Sequence, residues 1–262
     1  MSLSLVGVSV RFGGLRALEG VSLSVGREEV VGLVGPNGAG KTTLLNLISR
    51  FLDPSEGEIW WEGENLLRKP PEALAALGIG RTFQIPQLFS GLTVLEHLAL
   101  GAYARLGGGF VAASLGLPRL RARERDLLVQ AEEVLELLGL SEVAQTPAAA
   151  LPYGMKKRVE MGRALLSRPR LLLLDEPGAG LSQQEKSSFL SLIARIRTRY
   201  RTAILLVEHD MELVQAICER VLVLNFGRVL AQGRPEEVLA LPEVVEAYLG
   251  EPLGGRDGAS RG

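Results

Sequence analysis

The glycine-rich segment at residues 35–42, which reads GPNGAGKT, constrains this chain more than any other stretch. It matches the phosphate-binding pattern G-x-x-x-x-G-K-[ST] at every fixed position. Residues 30–34 before it (VVGLV) are apolar and β-branched, which is typical of a buried strand, and residues 43–50 after it have leucine and isoleucine at helical spacing. The segment is therefore predicted to join a strand to a helix, which is the structural context that this motif needs.

The residue types in this segment suit a nucleoside triphosphate. Gly35, Gly38 and Gly40 let the backbone bend around a phosphate with its amide N–H groups pointing inward. The following helix adds the positive end of its dipole. The Lys41 ammonium can lie between the β- and γ-phosphates, and the Thr42 hydroxyl is a hard oxygen suited to Mg²⁺. The alternative is a glycine-rich turn that ends in lysine and binds nothing.

A second candidate site follows the apolar strand predicted at residues 170–174, where the chain continues Asp175-Glu176-Pro177. Ligands of open α/β sheets bind at the carboxyl ends of the strands. Asp175 is suited to hold Mg²⁺, directly or through water, and Glu176 can face a γ-phosphate and polarise an attacking water. The alternative is an ordinary turn, because Asp and Pro also punctuate strand ends.

Three more candidates stand at strand ends. His209 follows the apolar strand predicted at residues 202–207, where a neutral imidazole can donate to a γ-phosphate oxygen. Gln84 ends a strand predicted at residues 78–84, where its amide can reach Mg²⁺ or a water, although a surface glutamine is the simpler interpretation. Phe12 ends the first strand and can either stack on a flat base such as adenine or belong to the core.

The rest of the chain alternates short strands with helices. A hairpin is predicted at Asn225-Phe226-Gly227, and the basic run at residues 119–125 is expected to be a solvated helix face. His97 has no second His or Cys nearby and is expected to be an ordinary surface or half-buried residue. The other predicted strands are residues 3–12, 21–25, 58–61, 220–224 and 228–232; the other predicted helices are residues 93–105, 119–138, 155–167, 183–200, 211–217, 235–240 and 244–249; a loop is predicted at 106–118.

Charge and cysteine content narrow the function classes. The chain has 262 residues and a formal net charge of −1, so nothing draws the whole molecule to nucleic acid or to an anionic membrane. A single cysteine, Cys218, excludes an intramolecular disulfide and is expected to be a small buried apolar residue. No secretory signal opens the chain and no apolar run approaches the ~20 residues of a membrane-spanning helix. We therefore expect a cytosolic protein whose membrane role, if any, comes through a partner.

The order of these parts resembles that of ATP-binding cassette ATPases, over about residues 3–250. The resemblance implies an α/β fold: a P-loop NTPase (RecA-like) core with a mostly parallel sheet, an antiparallel β subdomain at the N-terminus and an inserted α-helical subdomain. It implies one domain over residues 1–253, with core and β subdomain at 1–86 and 164–235, the helical subdomain at 87–163, C-terminal helices at 235–250 and a flexible tail at 254–262.

The same resemblance assigns roles to residues. Glu176 is similar to the catalytic carboxylate and His209 to the switch histidine, while residues 171–175 resemble the Walker B strand. The residues implied to bind ATP are Phe12 (on adenine), Gly35, Asn37, Gly38, Ala39, Gly40, Lys41, Thr42, Thr43, Gln84 and Asp175, with Pro152, Tyr153 and Gly154 of the signature motif. The residues implied to hold Mg²⁺ are Thr42, Gln84 and Asp175.

Three longer stretches resemble one subgroup within this family. They read GIGRTFQIPQLFSGLTVLEHL, LPYGMKKRVEMGRALL and GRVLAQGRPEEVLALPEVVEAYLGE, and they resemble the longer ATPase subunit of high-affinity branched-chain amino-acid importers. This implies a second ATPase subunit in a homo- or heterodimer, integral-membrane permeases, an extracytoplasmic solute-binding protein, and a place at the inner face of the cell membrane. An importer of urea or short amides is the closest alternative.

Two motifs depart from the general family pattern. The signature is commonly LSGGQ but here reads LPYGM, so Pro152 replaces the serine whose hydroxyl would hold a partner's γ-phosphate. Gly154 and the helix that begins there remain available to an anion. Ser182 stands where the D-loop usually has aspartate, which puts hydrolysis at a partner's site in doubt.

Two other classes of protein fit the sequence less well. Cassette ATPases that act on DNA or ribosomes usually carry coiled coils, zinc cysteines or a second cassette, and this chain has one P-loop and one cysteine. A P-loop kinase or GTPase would leave the Glu-Pro and His209 features without a role, and no Asn-Lys-x-Asp guanine motif is present. The transport ATPase is therefore the favoured hypothesis, and no nucleic-acid partner is expected.

Overall fold

Two sheets share the strands of the chain. The computed structural model describes residues 2–106 and 118–249. The first sheet is antiparallel, has the order β2-β1-β4-β5 and consists of β1 (Leu3–Phe12), β2 (Leu15–Val25), β4 (Glu56–Trp61) and β5 (Glu64–Asn65). The second has the order β10-β9-β3-β8-β7-β6 and consists of β3 (Val30–Val34), β6 (Ile79–Arg81), β7 (Leu171–Asp175), β8 (Ala203–Val207), β9 (Arg220–Asn225) and β10 (Arg228–Gly233).

The second sheet determines where the chemistry lies. Its strands pair in parallel from β6 to β9, and only β10 runs antiparallel to its neighbour. The strands β3, β7 and β8 are buried along their whole length, which explains their unbroken apolar sequences. Because parallel strands end at the same edge, the residues that follow these three strands converge there.

Eight α-helices of the described chain surround the sheets. They are α1 (Lys41–Ile48), α2 (Val94–Leu106), α3 (Pro118–Leu138), α4 (Tyr153–Leu166), α5 (Gln183–Tyr200), α6 (Met211–Ile217), α7 (Pro235–Val238) and α8 (Pro242–Leu249). One apolar core lies between the two sheets and includes the buried face of α1. The other covers the opposite face of the parallel sheet and continues into α2, α3 and α4. None of the described helices is both long and apolar enough to cross a bilayer.

The helices α2, α3 and α4 pack on one another as a group. A Cβ on Gly101 would lie 1.8 Å from the backbone oxygen of Arg163, so only glycine lets α2 approach α4 this closely. A Cβ on Gly162 would lie 2.9 Å from side-chain atoms of both Leu98 and Leu138. The close approach of α2 and α4 therefore depends on one glycine from each helix, Gly101 and Gly162.

The fold class predicted from the sequence is confirmed, with three local corrections. β2 begins at Leu15 rather than at residue 21, because Phe12 pairs with Leu15 across a tight Gly13-Gly14 turn whose exposed residues do not alternate in polarity. The strand predicted at 78–84 is only Ile79–Arg81, since pairing with β7 stops there. Of the loop predicted at 106–118, Leu106 ends α2 and Pro118 begins α3, and residues 107–117 lie outside the described residues. The tail and the side chains of residues 119–124 also lie outside them.

His97 is the third correction, because it is completely buried rather than exposed or half-buried. Its Nε2 accepts a hydrogen bond from the Phe89 N–H (2.8 Å), and its Nδ1 lies 2.9 Å from the Thr93 oxygen. Both ring nitrogens therefore have partners in the neutral tautomer that is protonated at Nδ1. The imidazole stabilises the loop before α2 and has no free nitrogen for a ligand.

Candidate functional site

The glycine-rich loop joins β3 to α1, as its sequence predicts. Gly35, Gly38 and Gly40 all have positive φ angles, of 147°, 79° and 105°. A Cβ on Gly35 would lie 2.1 Å from the Leu224 oxygen, and one on Gly40 would lie 2.8 Å from the Ala17 oxygen. The loop therefore passes so close to its neighbours that only glycine fits at its two ends.

Lys41 folds back over this loop. Its Nζ donates hydrogen bonds to the backbone oxygens of Gly35 (2.6 Å) and Pro36 (2.9 Å), and the residue is only 6% exposed. Burial lowers the pKa of Lys41, and the nearby carboxylates of Glu176 and Asp175 oppose that shift. A buried ammonium held by carbonyls at the start of a helix is a concentrated positive charge that an anion can engage.

Glu176 is the meeting point of the other candidate residues. Gln84 Nε2 donates to its Oε2 at 2.8 Å, and His209 Nε2 lies 2.7 Å from its Oε1. The backbone oxygen of Glu176 also accepts a hydrogen bond from Lys157 Nζ (2.5 Å). Its φ of 49° is unusual for a residue with a side chain, and backbone strain of this kind concentrates at functional sites. Three candidates from distant parts of the sequence are thus in direct contact.

Asp175 lies beneath this group, at the end of β7, and is only 4% exposed. Arg81 Nη2 approaches its Oδ2 to 3.5 Å. Burial raises the pKa of Asp175, and the Arg81 guanidinium works against that rise. The Asp175 N–H points to the Thr82 hydroxyl at 3.4 Å. Arg81, the last residue of β6, therefore holds the carboxylate, and Thr82, the next residue, holds the backbone of Asp175.

The donor set fits Mg²⁺. No group of three or more His, Cys, Asp or Glu side chains is assembled for a metal within residues 2–106 and 118–249. Mg²⁺ does not need one, because it is usually held by one or two carboxylates, phosphate oxygens and water. Thr42 offers a hydroxyl in the cleft, Asp175 a carboxylate, and the Gln84 amide oxygen is left over when its nitrogen donates to Glu176. All three are hard oxygen ligands.

One open cleft of about 600 Å³ brings most of the predicted residues together. Its wall includes the exposed apolar side chains of Leu15 and Phe226 and the loop that holds Lys41. Gly35 and Asp175 are buried and lie outside its lining. The predicted site residues in its wall are Phe12, Asn37, Gly38, Ala39, Gly40, Lys41, Thr42, Thr43, Gln84, Glu176 and His209.

The signature residues Pro152, Tyr153 and Gly154 are not in this wall. Pro152 precedes the first turn of α4, and Tyr153 and Gly154 line a separate cleft of about 390 Å³. One contact connects them to the first cleft, because the Tyr153 hydroxyl donates to the Gln84 oxygen at 2.9 Å. Within one chain, the start of α4 therefore does not share a binding surface with the glycine-rich loop.

Ser182 is the N-cap residue of α5. Its side chain caps α5 by accepting from the Glu185 N–H, while the Glu185 carboxylate accepts from the Ser182 N–H. Such a reciprocal capping box satisfies two helix-end donors at once. The serine in place of aspartate therefore starts a helix.

Sequence reasoning did not assign a role to four buried charges around the site. Glu160, 1% exposed, accepts from the backbone N–H groups of Phe83 (3.0 Å) and Gln87 (3.1 Å), on both sides of Gln84. Burial raises the pKa of Glu160, and those two N–H groups oppose the rise. The other three are Arg81, Lys157 and Glu208.

Glu208 holds the loops that follow β7 and β8. Its Oε1 accepts from the Gly178 N–H (2.5 Å) and its Oε2 from the His209 N–H (3.1 Å). Burial raises its pKa, with the backbone donors opposing. The one sequence signal for Glu208 is its place at the end of a strand, directly before His209 and Asp210. Arg81, Lys157 and Glu160 stand alone in sequence and gave no such signal.

Two family models match the chain. The "ABC transporter" model matches residues 18–179, which is more than half of the chain. The "Branched-chain amino acid ATP-binding cassette transporter" model matches residues 228–253. The two matches do not overlap, and they cover the glycine-rich loop, the Asp175-Glu176 pair and the C-terminal helices.

The chain is similar along its length to curated proteins. It is 41% identical over 249 residues to the high-affinity branched-chain amino acid transport ATP-binding protein BraF of Pseudomonas aeruginosa, covering 95% of this chain and 98% of that protein. It is also 41% identical, with the same coverage, to the high-affinity branched-chain amino acid transport ATP-binding protein LivG of Escherichia coli K12. A probable LivG of Methanocaldococcus jannaschii is 36% identical, over 92% of this chain and 94% of that protein.

Solved structures agree with this. A nucleotide-free ATP-binding cassette from an ABC transporter superposes with a TM-score of 0.80 at 34% identity, covering 95% of this chain and 99% of that one. An ATP-binding cassette in its ADP conformation superposes with a TM-score of 0.81 at 34% identity and the same coverage.

Proposed function

The chain belongs to the ATP-binding cassette family of transporter ATPases, and from this premise we propose that it powers the import of branched-chain amino acids. It is an ATPase coupled to transport. The support for the solute class is the name shared by the similar proteins BraF and LivG and the match of residues 228–253 to a branched-chain model. The solute itself would contact other subunits, so this assignment rests on relatives.

One observation carries the proposed chemistry: Glu176 is contacted by both Gln84 and His209 in the cleft that contains the glycine-rich loop. An ATP whose phosphates lie in that loop presents its γ-phosphate to these three side chains. Glu176 accepts a proton from the attacking water and aligns it. His209 donates from its ring to a γ-phosphate oxygen, and Lys41 leaves its backbone acceptors for the β- and γ-phosphates.

Thr42, Asp175 and Gln84 hold Mg²⁺ in this proposal. When bound, the ion neutralises charge on the phosphate oxygens during transfer. Asp175 suits this role because it is anchored beneath the cleft by Arg81 and Thr82, so its carboxylate is already ordered. Phe12, half exposed in the wall of the same cleft, stacks on adenine.

The working unit in this proposal is a dimer of ATPase subunits. The start of α4 at Pro152, Tyr153 and Gly154 lies outside the cleft of its own chain, so it is free to meet the γ-phosphate bound by a partner. Pro152 has no N–H and no hydroxyl, so this contact falls to the Gly154 amide and the helix dipole. Each site is therefore completed by a second chain, which is either identical or related.

The group of α2, α3 and α4 is the helical subdomain in this proposal, over residues 87–163. Permease subunits dock between it and the core, where the segment around residues 84–91 exposes Ile85 and Phe89. This docking would keep the protein at the inner face of the membrane, and a solute-binding protein would act on the far side. Removal of the γ-phosphate opens the dimer, and the movement reaches the permeases through Gln84.

Transport by a reconstituted complex tests the solute class. The chain, a second ATPase subunit, two integral-membrane permeases and a solute-binding protein are placed in liposomes with internal ATP. We expect uptake of labelled leucine that unlabelled isoleucine and valine inhibit, and no uptake in the Lys41→Ala complex. Uptake of urea or a short amide without leucine would contradict the proposal. So would tight, salt-sensitive binding of duplex DNA by the isolated chain.

A further inference from the structure

Phe226 occupies a backbone position that does not suit it. It follows β9 in the two-residue turn to β10, with φ of 44°, and Gly227 after it has φ of 77°. Two consecutive positive φ angles define a type I′ turn, whose first position favours Asn, Asp or Gly. A bulky side chain there is an outlier, and at 87% exposure this one gains almost nothing from burial. Local stability therefore does not explain the phenylalanine.

The turn is fastened to the glycine-rich loop. The Gly227 N–H donates to the Ala39 oxygen at 3.0 Å, and the Gly227 oxygen accepts from the Glu19 N–H at 2.8 Å. A Cβ on Gly227 would lie 2.6 Å from the Ala17 oxygen, so the turn is pressed against β2. Phe226 is thus held at a fixed position relative to the phosphate-binding loop.

Phe226 also belongs to the wall of the 600 Å³ cleft. The wall divides by chemistry: Lys41, Gln84, Glu176 and His209 are polar or charged, whereas Phe12, Leu15 and Phe226 are exposed apolar side chains. A nucleotide whose phosphates contact the polar side chains can place its base against the apolar ones. Exposed aromatic rings in such a cleft are suited to the face of a nucleobase.

We propose that Phe226 is a second base-contacting residue, which packs on the purine of a bound nucleoside triphosphate together with Phe12. This inference rests on the nucleotide site proposed above. The backbone strain of the turn is then explained by the position of the aromatic ring in the cleft wall. The hydrogen bond from Gly227 to Ala39 fixes the turn relative to the phosphate-binding loop. The contact adds affinity for the base and none for the phosphates.

The Phe226→Asn variant separates this role from a structural one. Asn is the preferred residue at the first position of the turn, so the variant should melt at the same or a higher temperature than the wild type. Its affinity for ATP, measured by titration calorimetry with Mg²⁺, should fall roughly tenfold, in line with the loss of one base–aromatic contact. Its affinity for inorganic tripolyphosphate, which has no base, should be unchanged. Phe226→Trp should bind ATP like the wild type.

Glu62→Asn is the matched control. Glu62 and Gly63 form the same kind of turn between β4 and β5, with φ of 48° and 87°, outside the cleft. This variant should bind ATP and tripolyphosphate as the wild type does.

Two results would overturn the inference: equal ATP affinity in Phe226→Asn and wild type, or parallel losses for ATP and tripolyphosphate. If hydrolysis were slower at equal ATP affinity, Phe226 would be a subunit contact instead. If the wild type bound neither ligand, the proposed nucleotide site would fail instead.

Discussion

Nε2 of His209 lies 2.7 Å from Oε1 of Glu176, although the two residues follow different strands. The contact exists because β7 and β8 are parallel neighbours, with Asp175 paired to Val207, so the residues after each strand emerge side by side. Glu208 reinforces the arrangement by accepting N–H groups from both following segments, at Gly178 and His209. The sheet thus positions the acid and the imidazole beside each other.

Replacing His209 with Ala should slow hydrolysis about 100-fold, because a donor to the γ-phosphate is lost. ATP affinity should change by less than about threefold, since Lys41 and the loop amides remain. Steady-state phosphate release and calorimetric titration measure the two quantities. Gln215→Ala, an exposed change on α6 outside the cleft, serves as the control and should have no effect. Loss of ATP binding in His209→Ala would show instead that the histidine supports the loop.

Gly35→Ala and Gly38→Ala form a matched pair. Both glycines have positive φ, but a Cβ at Gly35 would meet the Leu224 oxygen at 2.1 Å, whereas one at Gly38 meets nothing within 4 Å. The free energy of unfolding should fall by about 3 kcal/mol or more for Gly35→Ala and by about 1 kcal/mol for Gly38→Ala. Urea denaturation measures both. Equal losses would mean that backbone conformation alone, and not the approach of β9, selects glycine at 35.

Glu160→Ala should loosen the segment around Gln84. The buried carboxylate accepts the Phe83 and Gln87 N–H groups, so its removal deprives two donors of their partner and costs about 3 kcal/mol. Amide hydrogen exchange at residues 83–87 should become faster, while exchange at residues 35–42 stays the same. The exposed Glu142→Ala is the control and should change neither. Unaltered exchange at 83–87 would remove Glu160 from this role.

Cys218 should resist thiol reagents in the folded protein. Burial raises its pKa to about 12, so the thiol stays protonated in the native state at pH values where the unfolded thiol, with a pKa near ~8.5, ionises. The native state therefore keeps a proton that the unfolded state loses. The free energy of unfolding consequently decreases as pH rises above about 8.5. Labelling with a thiol-specific dye at pH 8.5 should be slow without urea and fast with it. Rapid labelling without urea would contradict the buried position.

The sequence predicted most of the residues that the structure brings together in the cleft, because they follow strands or lie in local motifs. The loop at Gly35, the pair at Asp175 and the residue His209 each end a buried apolar strand, and parallel strands bring such ends together. The roles of Glu160 and Arg81 were not predicted, because neither residue lies in a local motif. Each acts on residues that only folding brings near: Glu160 is 77 positions from Phe83, and no spacing pattern announces such a contact.

His97 shows a second limit of sequence reasoning. A histidine on an amphipathic helix is usually exposed or half-buried, yet this one is fully buried because the Phe89 N–H and the Thr93 oxygen satisfy its ring. Those partners come from the irregular loop before α2, whose backbone path cannot be read from periodicity. The shorter β6 has a similar origin, since its length is determined by the partner strand β7.

Hydrolysis by the Glu176→Gln variant tests the central claim most directly. The amide can keep both contacts, with its oxygen accepting from Gln84 and its nitrogen donating to His209, but it cannot take a proton from water. We expect ATP affinity within about threefold of the wild type and phosphate release slower by at least about 100-fold. Turnover close to that of the wild type, with ATP bound equally well, would contradict the role of Glu176 and the mechanism built on it.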